Sequence, residues 1–240
     1  MCEPFNKDTA HRQLLQITRS LFSAPFFHSS DISNKYKIIK STLIIEKHLT
    51  NLLPSDGAAY YYGKVFAFDE ANGYFQSLLQ NISWKNDEIV VFGKHIVTKR
   101  KTAWYGDSNY VYIYSNIEKK ALPWTNVLLN VKQIVENHSN TKFNSCLLNL
   151  YNDGNVGIGW HSDDEKSIED SSSIASVSLG AERKFTFKHK QSKKIISVLL
   201  EHGSLLLMKD AIQKNWLHCL PKSVNVTLPR INLTFRRMVT

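Results

Sequence analysis

His161 and Asp163 stand two positions apart in the stretch GWHSDDE, Gly159 to Glu165. Residues at i and i+2 of a strand point to the same side, so one imidazole and one carboxylate could reach a single cation. That donor pair suits non-haem Fe(II) when a second histidine completes a face and leaves coordination positions open. Taken alone, the same stretch also reads as a charged, solvated turn. His218, in NWLHCLPKS, lies between two apolar, strand-like stretches, where a histidine is more often a satisfied core residue. The tail after it, RINLTFRR, shifts the balance. Arg230, Asn232, Thr234 and Arg236 share one parity, and Ile231, Leu233 and Phe235 share the other. Two guanidiniums on one buried strand face need anionic partners, because unpaired buried charge is strongly unfavourable. A dicarboxylic cosubstrate meets that need, since arginine binds carboxylates bidentately.

Strands must position such a set, and the pattern supplies them. NYVYIYS and RKFTFKHK alternate with period two. Further strands are expected at Glu88 to Phe92, Ser145 to Tyr151, Ile174 to Ser178, Ile195 to Leu200, Leu205 to Lys209 and Ile231 to Arg236. Helical spacing predicts helices at Asp69 to Ile82 and Trp124 to Asn137, the second from Val127, Leu128, Val131, Ile134 and Val135. Residues 1–55 differ. They show helical periodicity around His11 to Leu21 and Tyr36 to Leu53 and end in the breaker LPSDG. The expectation is a partly helical N-terminal extension on 1–55, followed by an α+β domain on 56–240 built on a β-sandwich or barrel.

Bulk properties bound the partners. The 240 residues are 42% hydrophobic, enough for a folded domain with a sizeable core. The longest apolar runs, such as Ile195 to Leu200, are far too short to span a bilayer. MCEPFNKDTAHR lacks the order of a secretory signal. An intracellular protein without a membrane partner is expected, nuclear in a eukaryote and cytoplasmic in a bacterium. Three scattered cysteines form neither a disulfide framework nor a CxxC site. The net charge of +9 favours polyanions, and the clusters at Lys99 to Lys101 and Lys188 to Lys194 point towards nucleic acid.

The order NLYNDG, GWHSDDE, SVSLGAERKF, HGSLLLM, His218 and RINLTFR resembles the AlkB family of Fe(II)- and 2-oxoglutarate-dependent dioxygenases. The likeness runs from about Tyr60 to the C-terminus. It implies a double-stranded β-helix, or jelly-roll, core with flanking helices. It makes His161, Asp163 and His218 the iron ligands. It gives Arg230 and Tyr151 the distal carboxylate of 2-oxoglutarate, and Arg236 and Asn149 the end near the metal, with Asn232 and Thr234 on the same face. Dioxygen is the remaining cosubstrate. Where the family reads Asn-Arg-Tyr, this chain reads Asn149-Leu150-Tyr151, and the two pocket residues share a strand parity.

The resemblance also implies a substrate, an alkylated base in DNA, 1-methyladenine or 3-methylcytosine, demethylated by a monomeric enzyme. Duplex DNA is favoured and single strands are admitted. Glu165 is expected to accept an N–H of the base. Tyr114 is expected to stack on the flipped base, with Tyr112 beside it, although alternating tyrosines also pack ordinary strands. Phe92, in VFGK, is expected to fill the gap left by the base, as apolar wedges do. Arg100 and Lys101, with Lys99, are expected on phosphates. Two rival readings stand beside this one: an RNA demethylase of the same family, and a non-catalytic nucleic-acid-binding protein with a vestigial metal site.

Overall fold

Strands form where this chain can bury one face or both, and among the described residues they make two main sheets and a small third one, with two long helices and one single-turn helix. The computed structural model describes residues 49–91, 94–108, 110–114 and 117–239, with the side chains of 89–91, 95 and 111–119 outside that description. Most of the expected N-terminal extension therefore lies outside the described residues, as does Phe92. Residues 49–55 belong to the same compact unit as the rest of the described chain. They are not helical. The Asn51 side chain accepts from the backbone N–H groups of Leu53 and Ala59, at 3.1 and 2.9 Å, and folds the chain into a turn instead.

In chain order the elements are β1 (Ala58–Lys64), α1 (Phe68–Asn81), β2 (Lys85–Val91), β3 (Lys94–Gly106), β4 (Val111–Tyr114), β5 (Ile117–Lys120) and β6 (Leu122–Pro123). There follow α2 (Asn126–Ser139), β7 (Ser145–Tyr151), β8 (Ile158–His161), β9 (Ile174–Gly180), β10 (Arg183–His189) and β11 (Ile195–Leu200). The chain closes with β12 (Ser204–Lys209), α3 (Ile212–Asn215), β13 (Trp216–Leu220) and β14 (Arg230–Arg236). The major sheet runs β1-β12-β9-β14-β7-β3-β2, with β6 beside β3. The minor sheet runs β11-β10-β13-β8, and β4 pairs with β5 in a small third sheet. All the pairings are antiparallel except β3 with β6.

Parity divides the major sheet cleanly. One face of β14, Ile231, Leu233 and Phe235, is fully buried and joins a core with Leu148 and Leu150 of β7. Helices α1 and α2 complete that core through Phe75, Leu78, Leu128, Val131 and Val135. Thr125 caps α2, its hydroxyl accepting from Leu128 N–H at 3.3 Å. A second core involves both sheets, with Leu206 and Met208 of β12 and Phe185, Phe187 and Trp216 of the minor sheet. Fully burying each such side chain stabilises the fold by about 1.5–3 kcal/mol. This is the jelly-roll arrangement, with helices on the outer face of the larger sheet.

Six strands escaped the alternation reading: β1, β3, β5, β6, β8 and β13. β3 is 13 residues long, but Lys99, Arg100 and Lys101 interrupt its pattern. Its pairing with β2 carries an irregularity near Asp87, which explains the break in period. β8 and β13 are short, and each carries a histidine where a plain core strand would be apolar.

Candidate active site

β14 lies in the middle of the major sheet, between β9 and β7. Arg230, Asn232 and Thr234 on its polar face are buried and line a cavity. Arg230 pairs in register with Tyr151, and Asn232 with Asn149. That register puts the six expected cosubstrate residues, Asn149, Tyr151, Arg230, Asn232, Thr234 and Arg236, along one cavity. The facing wall comes from the minor sheet, where His218 of β13 pairs directly with His161 of β8. Asp163 follows just past the end of β8.

His161, Asp163 and His218 present ligand atoms within 4.8 Å of one another. Nitrogen and oxygen ligands sit about 2.0–2.2 Å from such an ion, so the set needs little movement to close on one. The imidazole of His161 is already oriented. Its Nδ1 lies 2.9 Å from the carbonyl of Gly159 and donates to it, which leaves Nε2 as the free ligand atom. Nε2 is 4.0 Å from Asp163 Oδ1. His218 is buried against Phe185, with its Nδ1 buried and without a hydrogen-bond partner. Burial pushes its pKa down to about 3, keeping the imidazole neutral as a ligand must be. Burial pushes the Asp163 carboxyl up, but the Arg236 guanidinium beside it outweighs this and holds it below the usual range. The Arg236 Nη2 donates to Asp163 Oδ1 at 2.6 Å. Two imidazoles and one carboxylate on one side fit a non-haem Fe(II) site.

The cosubstrate end is just as specific. Arg230 is 2% exposed, and no carboxylate among the described residues pairs with it. Its Nη2 donates to Ser178 Oγ at 2.8 Å, and its Nε is buried without a partner. Burial drags its pKa down to about 10, with Arg183 also lowering it and Tyr151 opposing. The guanidinium carbon lies 5.4 Å from the centre of the Tyr151 ring. A buried, underpaired guanidinium of this kind is a binding site for a carboxylate. Asn149 Oδ1 is also buried without a partner. Asn232 is held by Ser176 Oγ at 2.8 Å and accepts from Thr234 Oγ1 at 3.0 Å. Ser176 and Ser178 were missed in the sequence, although SVS shows the same i, i+2 parity used for RINLTFR.

The remaining wall of the cavity includes Trp104, Glu165, Ile168 and Met238. Glu165 lines this cavity, while Asp164 is exposed and accepts from Ser162 Oγ. Arg100 and Lys101 part company. Arg100 turns into the cavity and pairs with Asp87, a buried carboxylate that the sequence reading overlooked. Lys101 is half-buried and on the opposite parity. Tyr112 and Tyr114 lie on β4, but their side chains are outside the described set.

The comparisons with known proteins agree with this geometry. The profile of the 2OG-Fe(II) oxygenase superfamily matches residues 58–236. The DNA oxidative demethylase ALKBH2 of Mus musculus is 37% identical over 198 residues, covering 78% of this chain and 83% of that protein. The alpha-ketoglutarate-dependent dioxygenase alkB homolog 3 of Bos taurus is 37% identical over 177 residues, covering 70% of this chain and 61% of that protein. The solved structure of OsALKBH1 shares the fold, with a TM-score of 0.53 at 15% identity over 75% of this chain and 97% of that one. A matched profile over most of the chain, together with these identities, places this protein in the AlkB family of Fe(II)- and 2-oxoglutarate-dependent oxygenases.

Proposed function

We propose that this oxygenase reverses alkylation damage in DNA, removing methyl groups from 1-methyladenine and 3-methylcytosine. The observation that carries the proposal is the gathering of the site's groups in one cavity. It holds a facial His-Asp-His set, a buried anion-seeking arginine, and an apolar wall carrying Glu165. The names of the ALKBH2 relatives support DNA as the substrate. Iron, 2-oxoglutarate and dioxygen, when bound, supply the oxidation of an alkyl carbon. The chain's own residues do the rest. Arg230 and Tyr151 anchor a carboxylate, Asn149 and Arg236 line its other end, and His161, Asp163 and His218 hold the metal. Glu165 accepts a hydrogen bond from the base. Trp104, Ile168 and Met238 keep water from the reacting carbon.

Duplex DNA is the proposed form of substrate. Val91 pairs with Lys94 at the end of the β2–β3 hairpin, and Phe92 between them is the proposed wedge. Lys101 and Lys99 are proposed on phosphates, with Tyr112 and Tyr114 against the flipped base. The enzyme is proposed to act as an intracellular monomer, with its catalytic domain on residues 49–240, which form one compact unit. Among the described residues no helix is long and apolar enough to cross a membrane.

The test is mass spectrometry of oligonucleotides carrying one methylated base, single- and double-stranded, in DNA and in RNA, with 2-oxoglutarate omitted as control. Loss of the methyl mass from DNA, matched by succinate, is the expected result. Turnover confined to RNA would reassign the substrate. No turnover on any strand by protein that binds metal and 2-oxoglutarate would overturn the reading.

A further inference from the structure

The carboxylate of Asp163 has two claims on it. Arg236 grips its Oδ1 at 2.6 Å, and the metal face needs one of its oxygens. Something must fix the backbone so that the ion wins. The β-ladder does not, because β8 ends at His161. The Asp163 N–H donates instead to a side chain, the Oε1 of Gln213, at 2.9 Å.

Gln213 is well placed to serve as a fixed partner. It lies on the one-turn helix α3, and the other end of its amide approaches Met208 Sδ at 4.0 Å, which orients the oxygen towards Asp163. The Lys190 ammonium donates to the Gln213 carbonyl at 2.9 Å and to Ser162 Oγ at 3.3 Å. One cation thus ties the residue before Asp163 to the residue that holds it. The helix is seated in turn. Gly57 has a φ of +148°, and a Cβ there would come within 2.7 Å of Ile212 Cα. Asn215 Nδ2 donates to the Asp56 carbonyl at 3.1 Å, and Trp216 Nε1 to the Ser55 carbonyl at 3.1 Å.

We infer that Gln213 is a positioning residue for the metal site. Its oxygen replaces the missing strand partner of Asp163 and keeps the carboxylate aimed at the metal face rather than wholly at Arg236. The inference rests on reading His161, Asp163 and His218 as that face.

Visible-band titration of the full chain with Co(II) tests it on wild type, Gln213→Ala, Gln213→Asn, Gln213→Glu and Asp163→Ala. Gln213→Asn retains the amide but falls one methylene short. Partners of metal ligands typically carry 10- to 100-fold in affinity, so Gln213→Ala and Gln213→Asn should each weaken Co(II) binding by about tenfold. Gln213→Glu keeps the acceptor oxygen and should bind within about threefold of wild type. Thermal midpoints of the metal-free proteins should stay close together, because a merely structural role would move those and not the affinity. Wild-type affinity in Gln213→Asn, with binding lost in Asp163→Ala, overturns the positioning role and leaves the metal face standing. Wild-type affinity in Asp163→Ala overturns the face itself.

Discussion

At the scale of single residues, the site pairs most of its charges internally, Arg236 with Asp163 and Arg100 with Asp87, and leaves one buried guanidinium incompletely paired. That guanidinium is Arg230, and Arg230→Met should raise the KM for 2-oxoglutarate at least tenfold while leaving Co(II) affinity within about twofold. Calorimetric titration of both ligands checks the split. His218 makes a different prediction, about acid. Its folded pKa is pushed down to about 3 by burial, against roughly 6.5 in the unfolded chain. The unfolded state therefore binds the extra proton first, and the stabilising effect is complete above about pH 6.5 and declines as pH falls towards 3. Metal-free protein should lose on the order of 1–2 kcal/mol between pH 7 and pH 5 in urea unfolding. His218→Gln should flatten that slope. The arginines were legible because they share parity on one strand, whereas His161 and Asp163 stood out by their spacing and His218 only through the family resemblance. Asp87, Ser178 and Gln213 were not legible, since each acts through a partner distant in sequence: Arg100, Arg230 and Asp163.

Elements carry their own logic, and the connections matter as much as the strands. Arg183, 1% exposed, opens β10 and donates to carbonyls of Val156 at 3.1 Å and Pro221 at 2.7 Å. It also reaches Asp153 and Gly154. One guanidinium thereby joins the link from β7 to β8 with the link from β13 to β14. The two links touch at Gly154, where a Cβ would fall 1.8 Å from the Ser223 carbonyl oxygen. Gly154→Ala should therefore destabilise by about 1–3 kcal/mol, as overpacking does, read as a lower urea midpoint at unchanged m. At the hairpin of β2 and β3, Phe92→Ala should reduce repair of duplex DNA more than of single strands. Equal losses would count against the wedge. Helices α1 and α2 and most strands were readable from period alone. β3 was not, because its basic residues serve different faces, and β8 and β13 were hidden by the very histidines that make them useful.

The whole molecule is basic, with a net charge of +9. Binding to DNA should weaken steeply with salt, the logarithm of the constant falling linearly with that of the salt concentration. Fluorescence anisotropy between 50 and 200 mM salt, as about the physiological span, reads the slope. The layering has a further effect. Two metal ligands, His161 and His218, belong to the minor sheet, whereas Arg230 belongs to the major one. With the metal held by His161 and His218, a dicarboxylate bound to it and to Arg230 would act as a strut between the two layers. β8, an edge strand pairing with β13 at His161 and Ile158, is the element most exposed to peeling without it. Ligands that bind only the folded state stabilise it by mass action. Starved of iron or 2-oxoglutarate, the protein should be cut sooner by proteases in the segments flanking β8, so that its lifetime as well as its activity would follow the supply of its own cosubstrate.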